Sequence, residues 1–141
     1  MDKRLSADAL IKVPFHDCDM MRIVWHGHYA KYFEIARCAL FDLIGYGYAD
    51  MEASGFAWPI VECNLKYIRP ALYEMQLRAR ATLTEYQNRI VIDYLISDAN
   101  SGARLTKGRS VQVAVDMKSG ELQFAAPQVL VEKIECALER L

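Results

Sequence analysis

The sequence has little of what marks a disulfide-stapled, membrane-spanning or strongly charged protein. Its four cysteines, Cys18, Cys38, Cys63 and Cys136, form no Cys-x-x-Cys pair and no Cys/His cluster at zinc spacing, which argues against a zinc site. Free thiols in a reducing, cytoplasmic compartment are expected. The Met1-Asp-Lys-Arg-Leu5 start has no apolar signal core, and no apolar run approaches transmembrane length. Neither a cleaved leader nor a membrane partner is expected. A net charge of -1, from 17 basic and 18 acidic residues, provides no overall field and argues against a general nucleic-acid binder. With four prolines and seven glycines there is no linker, repeat or low-complexity tract. One domain over residues 1–141 is the expectation.

What is present is apolar surface, 53% of the residues, enough to build a core without staples. Alternation from Ala9 to His16 suggests a short strand, broken by a loop at Asp17 to Arg22. From His28 to Leu43, Tyr29, Tyr32, Phe33, Ala36 and Leu40 recur at helical spacing. Lys31, Glu34, Arg37 and Asp42 leave only a narrow wet stripe, so this helix should be buried on most sides. Gly45 and Gly47 stand where a helix stop is expected. Residues 48–57 are either a connection or a short helical turn. The period then changes to two, over 59–68, 76–86, 89–97 and 105–116, with turn candidates at Gln87-Asn88 and Asp98 to Gly102. A final helix is expected over 128–138. Strands outnumber helices and do not alternate with them, so the class is α+β. One long helix wrapped by a curved antiparallel sheet fits the order, and such a sheet leaves an edge open to a second chain.

The chemistry concentrates in His16-Asp-Cys-Asp-Met-Met-Arg-Ile-Val-Trp-His-Gly-His-Tyr29. Two carboxylates and three imidazoles next to apolar runs are expensive unless paired or used. A carboxylate there can act as base or nucleophile. Backbone N–H groups at the start of the following helix lack helical partners and can bind an oxyanion. Acyl hydrolysis is the reaction class this suggests. Against it stand plainer readings. Either aspartate can cap a turn, Trp25 can be packing, and His26 and His28 could hold a metal with a carboxylate, although two apart on a helix they do not face one way. Cys18 has no base beside it, and its neighbouring carboxylates oppose a thiolate.

Asp17-Cys-Asp19, Ile23-Val-Trp-His26, Tyr29 and Tyr32-Phe-Glu34-Ile-Ala-Arg37 together resemble the 4-hydroxybenzoyl-CoA thioesterase branch of the hot-dog superfamily. Trp58-Pro-Ile-Val61, Tyr67-Ile-Arg-Pro70 and Glu85-Tyr86 with Arg89 extend the resemblance over about Ile11 to Asp116. It implies a hot-dog fold, with a long central helix wrapped by five or six antiparallel strands, and a homodimer, often paired into a tetramer. It implies Asp19 and His26 as catalytic residues, with the His26 and Gly27 backbone facing the thioester oxygen. No metal or cofactor is expected. Arg22 stands where the family has glycine, so the turn is expected to differ in shape. His28 stands where the family has Asn or Ser, and both residues are possible supports for the site. A subgroup acting on carrier-protein-bound acyl groups also resembles Met20-Met-Arg22 and Gly45-Tyr-Gly-Tyr48.

The expected activity is hydrolysis of an acyl-CoA or acyl-carrier-protein thioester. The alternatives are a hot-dog 3-hydroxyacyl-thioester dehydratase using His26 or His28, and a non-catalytic acyl-thioester-binding module. Arg89, Trp58 and Tyr67 are the expected substrate contacts, with Lys66 and Arg69 as further cations.

Overall fold

The computed structural model describes residues 4–141. The first three, where the polar start of the chain was read, lie outside the described residues. In chain order the elements are β1 (Ser6–Lys12), α1 (Tyr29–Ile44), α2 (Tyr48–Ala53), β2 (Phe56–Ala57), β3 (Ile60–Tyr67), β4 (Gln76–Glu85), β5 (Ile90–Asp98), β6 (Arg104–Gln112), β7 (Val115–Asp116) and α3 (Gln128–Glu139). Short 3-10 turns at Phe15–Asp17 and His26–His28 bracket the polar loop.

Five strands form one antiparallel sheet in the order β1-β4-β5-β6-β3. The α+β expectation of one helix against one antiparallel sheet is therefore met. β2 and β7 form a separate two-stranded pair, which the sequence reading did not separate from the long strands. β1 lies at Ser6–Lys12 rather than Ala9 to His16. Residues 13–16 leave the sheet because Phe15 and His16 start a 3-10 turn after Pro14.

The face of α1 that carries Tyr29, Tyr32, Phe33, Ala36 and Leu40 is buried on the sheet. Phe33 stacks flat on Tyr94 of β5, with centroids 4.4 Å apart. The helix ends at Gly45, whose φ is 81°. The Tyr46 N–H donates to the Phe41 carbonyl and the Gly45 N–H to Asp42, the paired bonds of a Schellman stop. Lys133 of α3 donates to the Gly45 carbonyl at 2.7 Å, so α3 covers the far end of α1.

Arg37 requires a correction. The wet stripe expected of α1 does not include it: it is 5% exposed. Its Nε donates to the Tyr48 hydroxyl at 3.1 Å and its Nη1 to the Tyr94 hydroxyl at 3.3 Å. Burial works against the charge, but these two tyrosines outweigh it and raise the guanidinium pKa. Lys31 of the same stripe is engaged too, donating to Asp17.

Candidate active site

The loop between β1 and α1 folds back on itself as a tight hairpin. Asp19 N–H donates to the Ile23 carbonyl, and Arg22 N–H to the Asp19 carbonyl, at 2.9 and 3.0 Å. Arg22 sits at φ 62°. This is the three-residue hairpin in which a turn is followed by a left-handed residue. Arg22 adopts the left-handed backbone that glycine favours, held by the two flanking bonds. The hairpin is fixed to the chain after β3, because Val24 N–H donates to Ala71 and Tyr73 N–H to Arg22.

The two aspartates of this loop have different surroundings. Asp17 is 1% exposed. It accepts hydrogen bonds from Lys31 Nζ at 2.6 Å and the Tyr32 hydroxyl at 2.7 Å, both on the first turn of α1. Burial alone would push its carboxyl up, but the bonds from Lys31 and Tyr32, with the Lys31 and His28 charges, hold it below the ordinary value. His28 Nδ1 lies 3.8 Å from the same carboxylate.

Asp19 is exposed. Its Oδ1 accepts the Met21 N–H at 2.8 Å, the turn-capping role open to any aspartate at this position. Oδ2 has no protein partner among the described residues. Asp19 also lines a pocket of about 350 Å³ together with His26, Tyr29, Tyr67 and Arg69, so the capping role and the pocket role coincide in one residue.

His26 opens the helical segment. Its carbonyl accepts the Tyr67 hydroxyl at 3.1 Å, which ties the helix start to the end of β3. As the first residues of a helical segment, His26 and Gly27 have N–H groups with no preceding helical carbonyl to meet. A Cβ on Gly27 would stand 2.1 Å from the Trp25 ring, so Trp25 packs where only glycine leaves room. That ring lies 4.9 Å from the His26 ring and 5.4 Å from that of His28. Burial, then Asp17 and Asp19, push the Cys18 thiol up, which opposes a thiolate there.

The structure therefore brings Asp19, His26, Tyr67 and Arg69 together. It turns His28 toward Asp17 and away from the pocket. Trp58 is buried in a different cavity, of about 250 Å³, with Tyr48, Met51 and Phe56. Arg89 is paired with Glu85 at 3.0 Å. Sequence reasoning missed the part of Lys31 and Tyr32, which read as helix surface and core; their spacing from Asp17 gives no local signal. Among the described residues no cluster of three or more His, Cys, Asp or Glu side chains converges as a metal site. No helix of the described residues is long and apolar enough to cross a membrane.

Comparison with known proteins gives a consistent picture. Residues 13–134 match the model of the thioesterase-like superfamily. A Bacillus subtilis protein, YneP, whose name carries a provisional acyl-CoA thioesterase assignment, is 31% identical over 110 residues, covering 77% of this chain and 79% of that protein. The solved DHNA-CoA thioesterase of Staphylococcus aureus superposes with a TM-score of 0.82 at 23% identity, covering 96% of this chain and 89% of that one. A 4-hydroxybenzoyl-CoA thioesterase solved with 4-hydroxybenzoyl-CoA gives 0.75 at 20% identity, covering 92% and 99%. These two structures share the fold.

Proposed function

This chain belongs to the thioesterase-like superfamily and is a thioester hydrolase, and from that premise we propose that it hydrolyses acyl-CoA in the pocket beside Asp19. One observation carries the assignment of the site: Asp19, with one carboxylate oxygen uncommitted, and His26, at a helix start, line the same pocket. The thioester carbonyl points toward the His26 and Gly27 N–H groups, which stabilise the oxyanion as it forms. Asp19 attacks the carbonyl carbon or takes a proton from the water that does. When Asp19 attacks, the C–S bond breaks to give an Asp19 acyl anhydride and a thiolate that takes a proton from solvent. Water then hydrolyses the anhydride to the acid and free Asp19. When Asp19 acts as base, the water adds to the carbonyl, the C–S bond breaks, and Asp19 returns the proton to the departing thiolate as the acid is released. Tyr67, by holding the His26 carbonyl, keeps the helix start in place.

Replacing Asp19 by Asn preserves the acceptor for the Met21 N–H but removes charge and basicity. Thiol release from acyl-CoA should fall at least ~10²-fold in kcat with folding intact. Turnover near that of the unaltered protein would remove Asp19 from the chemistry.

The same reading includes a second copy of the chain. β3 is hydrogen-bonded to β6 on one side only, and its edge carries exposed Val61, Tyr67 and Ile68. Two-fold pairing along that edge is antiparallel. Within one chain Trp58 and Arg89 lie at the Ile60 end of the sheet, beside Gln112 and Ile90, whereas Tyr67 lies at the other end, beside Thr106. The separation is seven residues of strand, roughly 23 Å. Antiparallel pairing would bring Arg89 of the partner subunit and Trp58 of the partner subunit to the Tyr67 end. Their proposed role in binding the acyl chain and carrier thus depends on the dimer.

A further inference from the structure

The outer face of the sheet, turned away from α1, carries a charge pattern that the Asp19 pocket does not use. Along β5, Ile92, Tyr94 and Ile96 are buried, so Asp93 and Leu95 between them point outward. Across the strands, Leu95, Lys107 and Lys66 form one row, and Asp93, Arg109 and Asn64 form the next. Lys66 and Lys107 are thus direct cross-strand partners, and like charges in that relation destabilise a sheet. The one acid there, Asp93, already holds Arg109 through bonds of 2.7 and 3.3 Å. Among the described residues, Lys66, Arg104 and Lys107 make no ion pair and no side-chain hydrogen bond. These cations line a groove of about 520 Å³, in a chain whose net charge is -1.

The groove and the pocket share no lining residue, but backbone bonds join the segments that line them. The N–H groups of Ile68 and Arg69 both donate to the Leu105 carbonyl, at 2.8 and 3.0 Å. The segment after β3, whose Arg69 lines the Asp19 pocket, therefore abuts Leu105, the residue next to Arg104, which lines the groove. Arg69 at the pocket and Arg104 at the groove are thus held near one another by the Leu105 carbonyl.

We propose that this groove binds the phosphate groups of the nucleotide portion of a CoA thioester, with Lys66, Lys107 and Arg104 as the phosphate-binding cations. The inference rests on the acyl-CoA reading of the pocket. Phosphate brings several negative charges to cations that have no acid of their own, and lysine serves phosphate as a point charge. The nucleotide is remote from the reacting carbon, so its contacts act as uniform binding and show in KM rather than kcat.

The test uses the full chain and the double variant Lys66→Gln/Lys107→Gln, with its fold checked by circular dichroism and melting. Calorimetric titration with adenosine 3′,5′-bisphosphate should show binding that the double variant weakens at least about tenfold, as the loss of charge-assisted contacts requires. KM for acyl-CoA should rise on the same scale with kcat unchanged. KM for the same acyl group on N-acetylcysteamine, which carries no phosphate, should stay the same. Arg78→Gln, on the same face but paired with Asp8, should change neither constant. Undiminished bisphosphate binding in the double variant, or equal KM changes for both thioesters, would overturn the proposal. So would an unaltered protein that binds an acidic carrier protein but not the bisphosphate. If neither thioester is hydrolysed by the unaltered protein, the acyl-CoA reading fails, and the titration still decides the groove.

Discussion

Asp17 and Asp19 stand two residues apart and are the same chemical group, yet one is a buried anchor and the other an exposed pocket residue. Asp17 links the loop to α1 through Lys31 and Tyr32. Asp17→Ala would leave the Tyr32 hydroxyl without its acceptor, at a cost of about 1–3 kcal/mol, read as a lower melting temperature. The folded carboxyl is held below its unfolded value. Its contribution is therefore present above the unfolded pKa, near ~3.9, and is lost as pH falls through the folded pKa. Melting temperature against pH should fall less steeply below about pH 4 in Asp17→Asn than in the unaltered protein. An identical slope would mean that Asp17 is not the linked group. Arg22 offers a second residue-scale case. Its left-handed backbone costs an L-residue about 1–2 kcal/mol, partly offset in glycine by chain entropy. Arg22→Gly should raise the unfolding midpoint in denaturant modestly; a lower midpoint would show that the Arg22 side chain contributes more than its backbone costs. That the loop was chemically loaded was legible from its density of Asp and His. Which Asp is buried was not, because the answer depends on where Lys31 and Tyr32 stand after the helix has formed.

At the scale of elements, periodicity located α1, the four long strands and α3 to within a few residues. Packing between elements set the finer requirements. In β6, a Cβ on Gly108 would lie 2.3 Å from the Asn64 carbonyl oxygen and 2.5 Å from the Phe33 ring. Gly108 is thus the place where α1 and β3 both come close to the strand. Gly108→Ala should cost about 1–3 kcal/mol through overpacking, measured by denaturant unfolding, and an unfolding free energy equal to that of the unaltered protein would contradict this packing. In the sequence Gly108 is a lone glycine in a strand, a signal of close backbone approach that does not say what approaches. Arg37 shows the reverse failure. A charged residue on a helix reads as solvent-facing, but Tyr48 and Tyr94, 11 and 57 residues away, make its burial affordable.

For the whole molecule, the open edge of β3 leads to an expectation about assembly. Sedimentation should show a dimer at working concentration, and specific activity should fall on dilution in step with dissociation. A monomer with full activity would refute a site shared between chains. What the sequence by itself determined is local. The 3.6 and 2 periods defined the helix and the strands, and the resemblance carried by Asp17 to Arg37 pointed to the family that residues 13–134 match. Those features survive in sequence because they depend on neighbours a few residues apart. Only the tertiary structure decided that Tyr67 and Arg69 join Asp19 and His26, that Arg89 and Trp58 lie at the far end of the sheet, and that Lys66 faces Lys107. The physical reason is strand order. β3 precedes β4 in the chain but pairs with β6, and such long-range pairing is set by burial of the whole sheet against α1, which no short window of sequence contains.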